Sequence, residues 1–323
     1  MRTKYITDAK TGLRVLSGIL ILIGALLSTA CMKLDSGLEK QQQEDDKAIS
    51  NYLTTHQINA VKDDNGFYFQ KLQENNKGEE IKDTDVVDFY YTIRLLDSTL
   101  VGADTDTSSH PARFLMDYYS IVPQGLYFGI GRMRTGEKYR FFMPSWLSFN
   151  QYSTPLFGSN SNFIIDNNVL SRQKEDHINK LQLDSIQKFV DHTGLEFEKM
   201  DDGLYYRETK EGTGSSPTDY SNVTFYFTRR YLDSTIIATN VDGEPVTLTL
   251  NHNEAVKGLE EGLKKMKEGG KCQIIMPSSI GFNQSICVVP STVQQELFKQ
   301  GYIFYSVLPY SIIMYDVELI KVE

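Results

Sequence analysis

The sequence predicts an α+β protein built from two copies of one unit, and three observations carry that expectation. The first is an internal repeat. Gly125, Gly129, Met133, Gly136, Lys138, Pro144, Ser145 and Phe149 match Gly258, Gly262, Met266, Gly269, Lys271, Pro277, Ser278 and Phe282 without a gap, and spacing held over so many positions marks a duplication. The second is the pattern inside the later copy. Ala255, Val256, Leu259, Leu263 and Met266 recur at helical spacing, with Asn253 expected as the N-cap and Gly269-Gly270 as the stop. Cys272, Ile274 and Met276 then share one face of a strand that Pro277 ends. The third is the alternation of residues 313–319, which reads as a final strand. Each unit therefore holds a short amphipathic helix, a tight turn and a strand.

At 323 residues, with 40% hydrophobic and 11% aromatic residues, the chain has room for two domains with real cores. Residues 1–31 read as a targeting segment. Arg2, Lys4, Lys10 and Arg14 precede an apolar run, Val15 to Leu27, and Leu27-Ser28-Thr29-Ala30-Cys31 resembles a bacterial lipobox. The expected outcome is a cleaved signal peptide and a lipidated Cys31, holding the rest of the chain to a membrane outside the cytoplasm. An uncleaved anchor is disfavoured because the run falls short of the ~20 residues that span hydrocarbon.

Residues 32–44 are polar and read as a tether, and 45–58 carry Ile49, Tyr52 and Leu53 at helical spacing before a strand at Gly66–Phe69. The same order returns with Ile186, Phe189 and Val190 before Gly203–Tyr206, so the repeat includes a leading helix. Residues 172–193 read as a helical connector. Val86–Thr92 matches Val223–Thr228, and both strands lead into Leu-Asp-Ser-Thr, a turn. The expected division is 1–31 signal peptide and lipidated cysteine, 32–63 tether and leading helix, 64–171 domain one, 172–199 linker and 200–323 domain two. After Phe-Asn-Gln, domain one reaches its last strand, 162–169, directly. Domain two inserts residues 285–307, with a helix-like stretch at 293–298.

A net charge of −9 argues against nucleic acid and anionic membrane surfaces as partners. The five histidines are scattered without ligand spacing, and no phosphate loop or nucleophile motif stands out, so neither cofactor nor metal is expected. Cys272 and Cys287 either pair or remain as buried thiols.

The run A-V-K-G-L-E-E-G-L-K-K-M-K-E-G-G-K at 255–271, I-I-M-P at 274–277 and M-Y-D-V-E-L-I-K-V at 314–322 closely resemble FKBP-type peptidyl-prolyl isomerases. The resemblance covers residues 203–323 well and 66–170 more weakly. It implies two FKBP-like domains, each a curved antiparallel sheet packed on a short helix with a substrate proline between them. It also implies a folding helper of the cell envelope acting on proline-containing peptides or unfolded proteins.

Such an enzyme needs pocket walls and one backbone N–H rather than a nucleophile. The resemblance assigns the pocket of domain two to Phe227, Ile237, Val246, Val256, Leu259, Phe282 and Tyr315. Their counterparts in domain one are Tyr91, Val101, Ala112, Pro123, Leu126, Phe149 and Ile165. The family's pocket aspartate corresponds to Gly102 and Ala238, its tryptophan to Leu126 and Leu259, and its loop tyrosine to Phe149 and Phe282. Pro123 has no N–H to offer a substrate carbonyl, whereas Val256 has one, which places any activity in domain two. Ordinary core packing is the alternative role for each of these residues. For the protein as a whole the alternatives are a non-catalytic peptide- or protein-binding module and an assembly subunit that docks through 285–307. That insert either closes the site of domain two or elaborates its packing.

Overall fold

In the computed structural model, residues 37–105 and 111–323 are described, and the expected signal peptide and Cys31 lie outside them. Domain one runs helix α1 (37–55), β1 (Val61–Lys62), β2 (Tyr68–Gln73), β3 (Val86–Leu95), β4 (Leu100–Asp104), β5 (Ala112–Leu115), β6 (Ile121–Val122), α2 (Gly125–Ile130), β7 (Lys138–Met143) and β8 (Phe163–Gln173). Helix α3 (Glu175–Thr193) leads into β9 (Glu198–Lys199), β10 (Tyr205–Lys210), β11 (Asn222–Tyr231), β12 (Ile236–Thr239), β13 (Val246–Thr249), α4 (Lys257–Lys264) and β14 (Lys271–Met276). β15 (Cys287–Val288), α5 (Ser291–Lys299) and β16 (Ile313–Val322) complete the chain.

The two sheets are antiparallel and have one plan. The first is ordered β1-β2-β7-β8-β3-β4 with β5 also on β3, and the second β9-β10-β14-β16-β11-β12 with β13 also on β11. Even the irregularities repeat. The ladder shifts between Asp88 and Phe89 in β3 and between Thr224 and Phe225 in β11. Gly66 and Gly203 turn at φ +90 and +91, and Gly136 and Gly269 at +81 and +83, left-handed values that a side chain resists.

Each sheet is covered on both faces, which explains why β7 and β14 end in three buried apolar residues instead of alternating. In β14, Ile274 and Met276 face a core with Leu259 and Leu263 of α4, while Ile275 faces Ile186 and Val190 of α3. In β7, Phe141 and Met143 face α2, while Phe142 meets Ile49 and Leu53 of α1. The leading helices are clasped alike. Ser145 donates from N and Oγ to Asp45 Oδ2 at 3.0 and 2.6 Å. Ser278 donates from N and Oγ to Gln182 Oε1 at 2.8 and 3.0 Å.

Several expectations shift. Residues 37–44 belong to α1 rather than to a tether, because Asp45, in the middle of that helix, is drawn into the core by Ser145. The last strand of domain one continues to Gln173, since Arg172 still pairs with Val87 and binds Asp85, so the connecting helix begins only at Glu175. Asn253 is not the cap of α4. It sits in a left-handed turn, and the extended Val256 precedes the helix. Cys272 and Cys287 are both buried free thiols.

One connection crosses between the domains. β15 pairs in parallel with β6, and Cys287, Val288, Val289, Val293 and Leu297 belong to the core of domain one. A second seam sets Tyr310 against Val86 and Ile178, with its Oη donating to Glu175 at 2.7 Å and its carbonyl accepting from Gln182 at 2.6 Å.

Candidate functional site

The strand β11 presents Phe225, Phe227, Arg229 and Tyr231 on its inner face, by the two-residue period of a strand. Phe227 lies beside Tyr315 of β16 with ring centroids 5.9 Å apart. Leu259 of α4 is buried beneath them, and Ile237 of β12, Val256 and Phe282 pack around the same core half-buried. Six of the seven expected pocket residues therefore converge. Val246 shares the inward face of β13 with buried Leu248 but stands at the strand's open end, 38% exposed and outside the cluster. It forms rim, not wall.

Val256 is extended, with φ −70 and ψ 148, and its carbonyl accepts from Leu259 N at 3.0 Å as the helix starts. Among the described residues, its own N–H has no protein acceptor. The turn beside Phe227 is fixed by Asn240, which accepts from Phe227 N at 2.7 Å and donates to Glu244 O at 3.1 Å.

Sequence reasoning missed Arg229. Its guanidinium lies 4.8 Å from the Phe282 ring centroid, and Nη1 reaches Tyr315 Oη at 3.4 Å. Nε is buried without a partner. Burial pushes the Tyr315 hydroxyl above its ordinary range, and the Arg229 cation pulls partly the other way. The available signal was its place two residues beyond Phe227, on the face that carries the pocket. The insert contributes Tyr305, whose ring meets Phe282 edge to face at 5.1 Å. A shallow cavity of about 270 Å³ between Tyr226, Thr228, Gln273 and Asp316 touches none of these residues.

In domain one the corresponding space is full. Tyr91, Val101, Leu126, Phe149 and Ile165 are all buried, and Ile93 takes the place of Arg229. What covers them is the insert of domain two. Cys287 N donates to Ser120 O and Val289 N to Val122 O, each at 2.9 Å. Pro290 lies so close to Gly102 that a Cβ there would meet Pro290 Cβ at 2.4 Å. Only the second half of the insert lies over the site of domain two.

Two antiparallel sheets of one plan, each with a short helix packed on its inner face, are repeated along one chain. The model of the FKBP-type peptidyl-prolyl cis-trans isomerase family matches residues 77–170 and 214–320, and the chain belongs to this family. Among curated proteins, it is 38% identical over 88 residues to the chloroplastic peptidyl-prolyl cis-trans isomerase FKBP20-2 of Arabidopsis thaliana, 26% of this chain and 35% of that one. It is 28% identical over 123 residues to an FK506-binding protein of Neisseria meningitidis serogroup B, 37% of this chain and 96% of that one. A probable isomerase FkpA of the same organism is 34% identical over 83 residues, 25% of this chain and 30% of that one. The chain thus spans about a third of the length of the FKBP20-2 and FkpA relatives. Among solved structures, the three FKBP domains of wheat FKBP73 align over 80% of this chain and 96% of that one, at 21% identity and a TM-score of 0.31.

Proposed function

We propose that domain two is a peptidyl-prolyl cis-trans isomerase that acts on X-Pro bonds of extended peptides or unfolded proteins in the cell envelope, with the chain held to a membrane through lipid on Cys31. Rotation about an X-Pro bond is slow, taking tens of seconds, because amide resonance must be broken. The twisted amide at the transition state is less polar than the ground state, so an apolar site that meets it with one well-placed donor binds it preferentially. Phe227, Tyr315, Leu259 and Phe282 supply the apolar surface, Ile237 and Val246 its edge, and the Val256 N–H the donor to the substrate carbonyl. The observation that carries the reading is that free N–H at the start of α4, beside the rings.

The test is acceleration of isomerisation in a proline model peptide and in a slow-refolding protein, with Val256→Pro as the variant. Val256 already has the φ of −70 that proline requires, so the substitution removes the N–H without asking that angle to change. The expected outcome is a loss of about 10–100-fold in acceleration, the range for removing one preorganised donor being up to ~10³. Unchanged acceleration overturns the assignment. A second reading, a non-catalytic peptide-binding module, is favoured by Arg229, a cation inside a groove that isomerisation needs dry. No acceleration by the folded chain, together with binding of the same peptide, would decide for it. Anchoring is tested separately by labelling cells with a fatty-acid probe, where Cys31→Ala is expected to abolish incorporation.

A further inference from the structure

We propose that the groove of domain one is a peptide-binding site whose resident ligand is the chain's own segment 286–290, an extended, mostly aliphatic stretch ending in Pro290. The segment is seated as a bound peptide is. Its backbone joins β6 through the two hydrogen bonds from Cys287 and Val289, adding a strand to an edge. Its side chains are withdrawn from solvent, with Cys287, Val288 and Val289 only 2–4% exposed. The host is shaped for it. Gly102 leaves the space that Pro290 occupies, and Tyr91 of β3 and Phe114 of β5 share one buried cluster with Cys287, Val288 and Val289. Helix α5 then closes over the site with Val293 and Leu297.

Occupancy has a purpose in the geometry. Once 286–290 is seated, the chain returns past Tyr302, which meets Tyr152 of domain one at 5.8 Å, and brings Tyr305 against Phe282. Ser285 Oγ donates to Val307 O at 2.8 Å and closes the base of the loop. Domain one is thereby a fixed mount that sets the cover over the groove of domain two. This inference stands independently of any activity in domain two.

The test uses the full chain in detergent and reads thiol alkylation by a maleimide, assigned to single cysteines by peptide mapping. Burial pushes the Cys287 thiol up to about 12, so the seated thiol is expected to stay unmodified until the chain is denatured. Gly102→Val places methyl groups where Pro290 sits. It is expected to speed Cys287 alkylation by about tenfold or more through local opening, while Cys272, buried in the core of domain two, stays protected and reports that the chain is folded. Should Gly102→Val expose both thiols together, Pro290→Gly removes the occupant from the other side and is expected to release Cys287 alone. Rapid alkylation of Cys287 in the unaltered chain overturns the proposal. So does a Cys287 that stays protected in the folded Gly102→Val chain or, where that variant unfolds, in the Pro290→Gly chain. A dimer by light scattering whose mixed-label copies exchange the segment would also overturn it, since the occupant would then be a second copy.

Discussion

The matching inner faces of the two domains carry the same repeat and are now covered differently. In domain one the floor is Tyr91, Ile93 and Ile165 under a lid of Val289, Val293 and Leu297, and everything is buried. In domain two the matching floor is Phe227, Arg229 and Tyr315, and its edges are left half-open. The aspartate, tryptophan and tyrosine expected of the family's pocket are missing from both domains, but two features of domain one go with its occupant. Gly102 has no side chain because Pro290 is there, and Pro123 lies beside a strand edge that the chain itself fills. What distinguishes the grooves is occupancy, not decay.

The largest expected effect breaks the filled groove. Val289→Asp buries an unpaired carboxylate in the core of domain one and is expected to cost about 3–5 kcal/mol. Phe304→Asp, at a site 87% exposed on the same insert, is expected to change stability by less than about 0.5 kcal/mol. Denaturant unfolding followed by Trp146, the single tryptophan and a neighbour of the domain-one core, measures both. Equal costs would mean that the insert is not part of that core.

Next come the helix clasps. Asp45→Ala strands the Ser145 hydroxyl, which bonded a charged acceptor, while Ser145 N keeps Asn162 Oδ1 at 3.0 Å, and is expected to cost about 1.5–3 kcal/mol. Gln182→Ala strands both Ser278 donors and the Tyr310 carbonyl that Gln182 bonds at 2.6 Å, and is expected to cost about 2–3 kcal/mol. The same unfolding curves decide. Either variant unfolding like the unaltered chain would show that its clasp adds nothing.

Acid separates the domains in a third way. Asp85 has a fully buried side chain, 2.8 Å from Lys174 and 3.0 Å from Arg172. Burial alone would raise its carboxyl, but the bonds from Lys174, the Lys82 backbone and Arg172 outweigh it and hold the group below the ordinary range. A group lowered by folding contributes stability above its unfolded value of about 3.9 and loses it as pH falls through the folded value. The native fluorescence of Trp146 is therefore expected to fade below about pH 4. In Asp85→Ser, which copies Ser221 of domain two, the unfolding free energy should be lower at neutral pH and should vary less below it. An unaltered acid profile would remove Asp85 from the account.

The smallest effect sharpens the comparison instead of breaking it. Arg229→Ile gives domain two the floor residue of domain one and relieves a buried Nε without a partner. Stability is expected to rise by no more than about 1 kcal/mol. Preference for a peptide with a carboxylate beside its proline should fall a few-fold, the scale of one partly exposed ion pair. Competition between Glu-Pro and Lys-Pro peptides measures it, and an unchanged ratio would leave Arg229 with a packing role only.

Much of this was legible in the residues. The repeated Gly, Met, Lys, Pro and Ser spacing located both sheets because those positions carry turns and close contacts that tolerate little else. The alternation of 313–319 gave the last strand, and it was the family resemblance that set Phe227 beside Tyr315, whose rings lie 5.9 Å apart. Three things were hidden. The polar residues 37–44 give no apolar stripe, since what ties their helix down is the carboxylate of Asp45. Asn253 looked like a cap because its preference for left-handed backbone and for capping are written with the same letter. The run 286–289 was continuous and apolar, which suits a strand buried on both sides, yet nothing local says that the burying surface lies in the other domain.

The segment that completes domain one is also late. Made from the N-terminus, the chain finishes β8 roughly 110 residues before β15, an interval of about 5–20 s at the usual pace of synthesis of ~5–20 residues per second. For that time Leu126, Ile165 and Phe149 have no cover, and the groove stands open to any proline segment that passes, including those of its own chain. Domain one therefore has two lives: briefly a vacant receptor during biogenesis, and afterwards a closed joint. Truncation anywhere before residue 287 would leave it in the first.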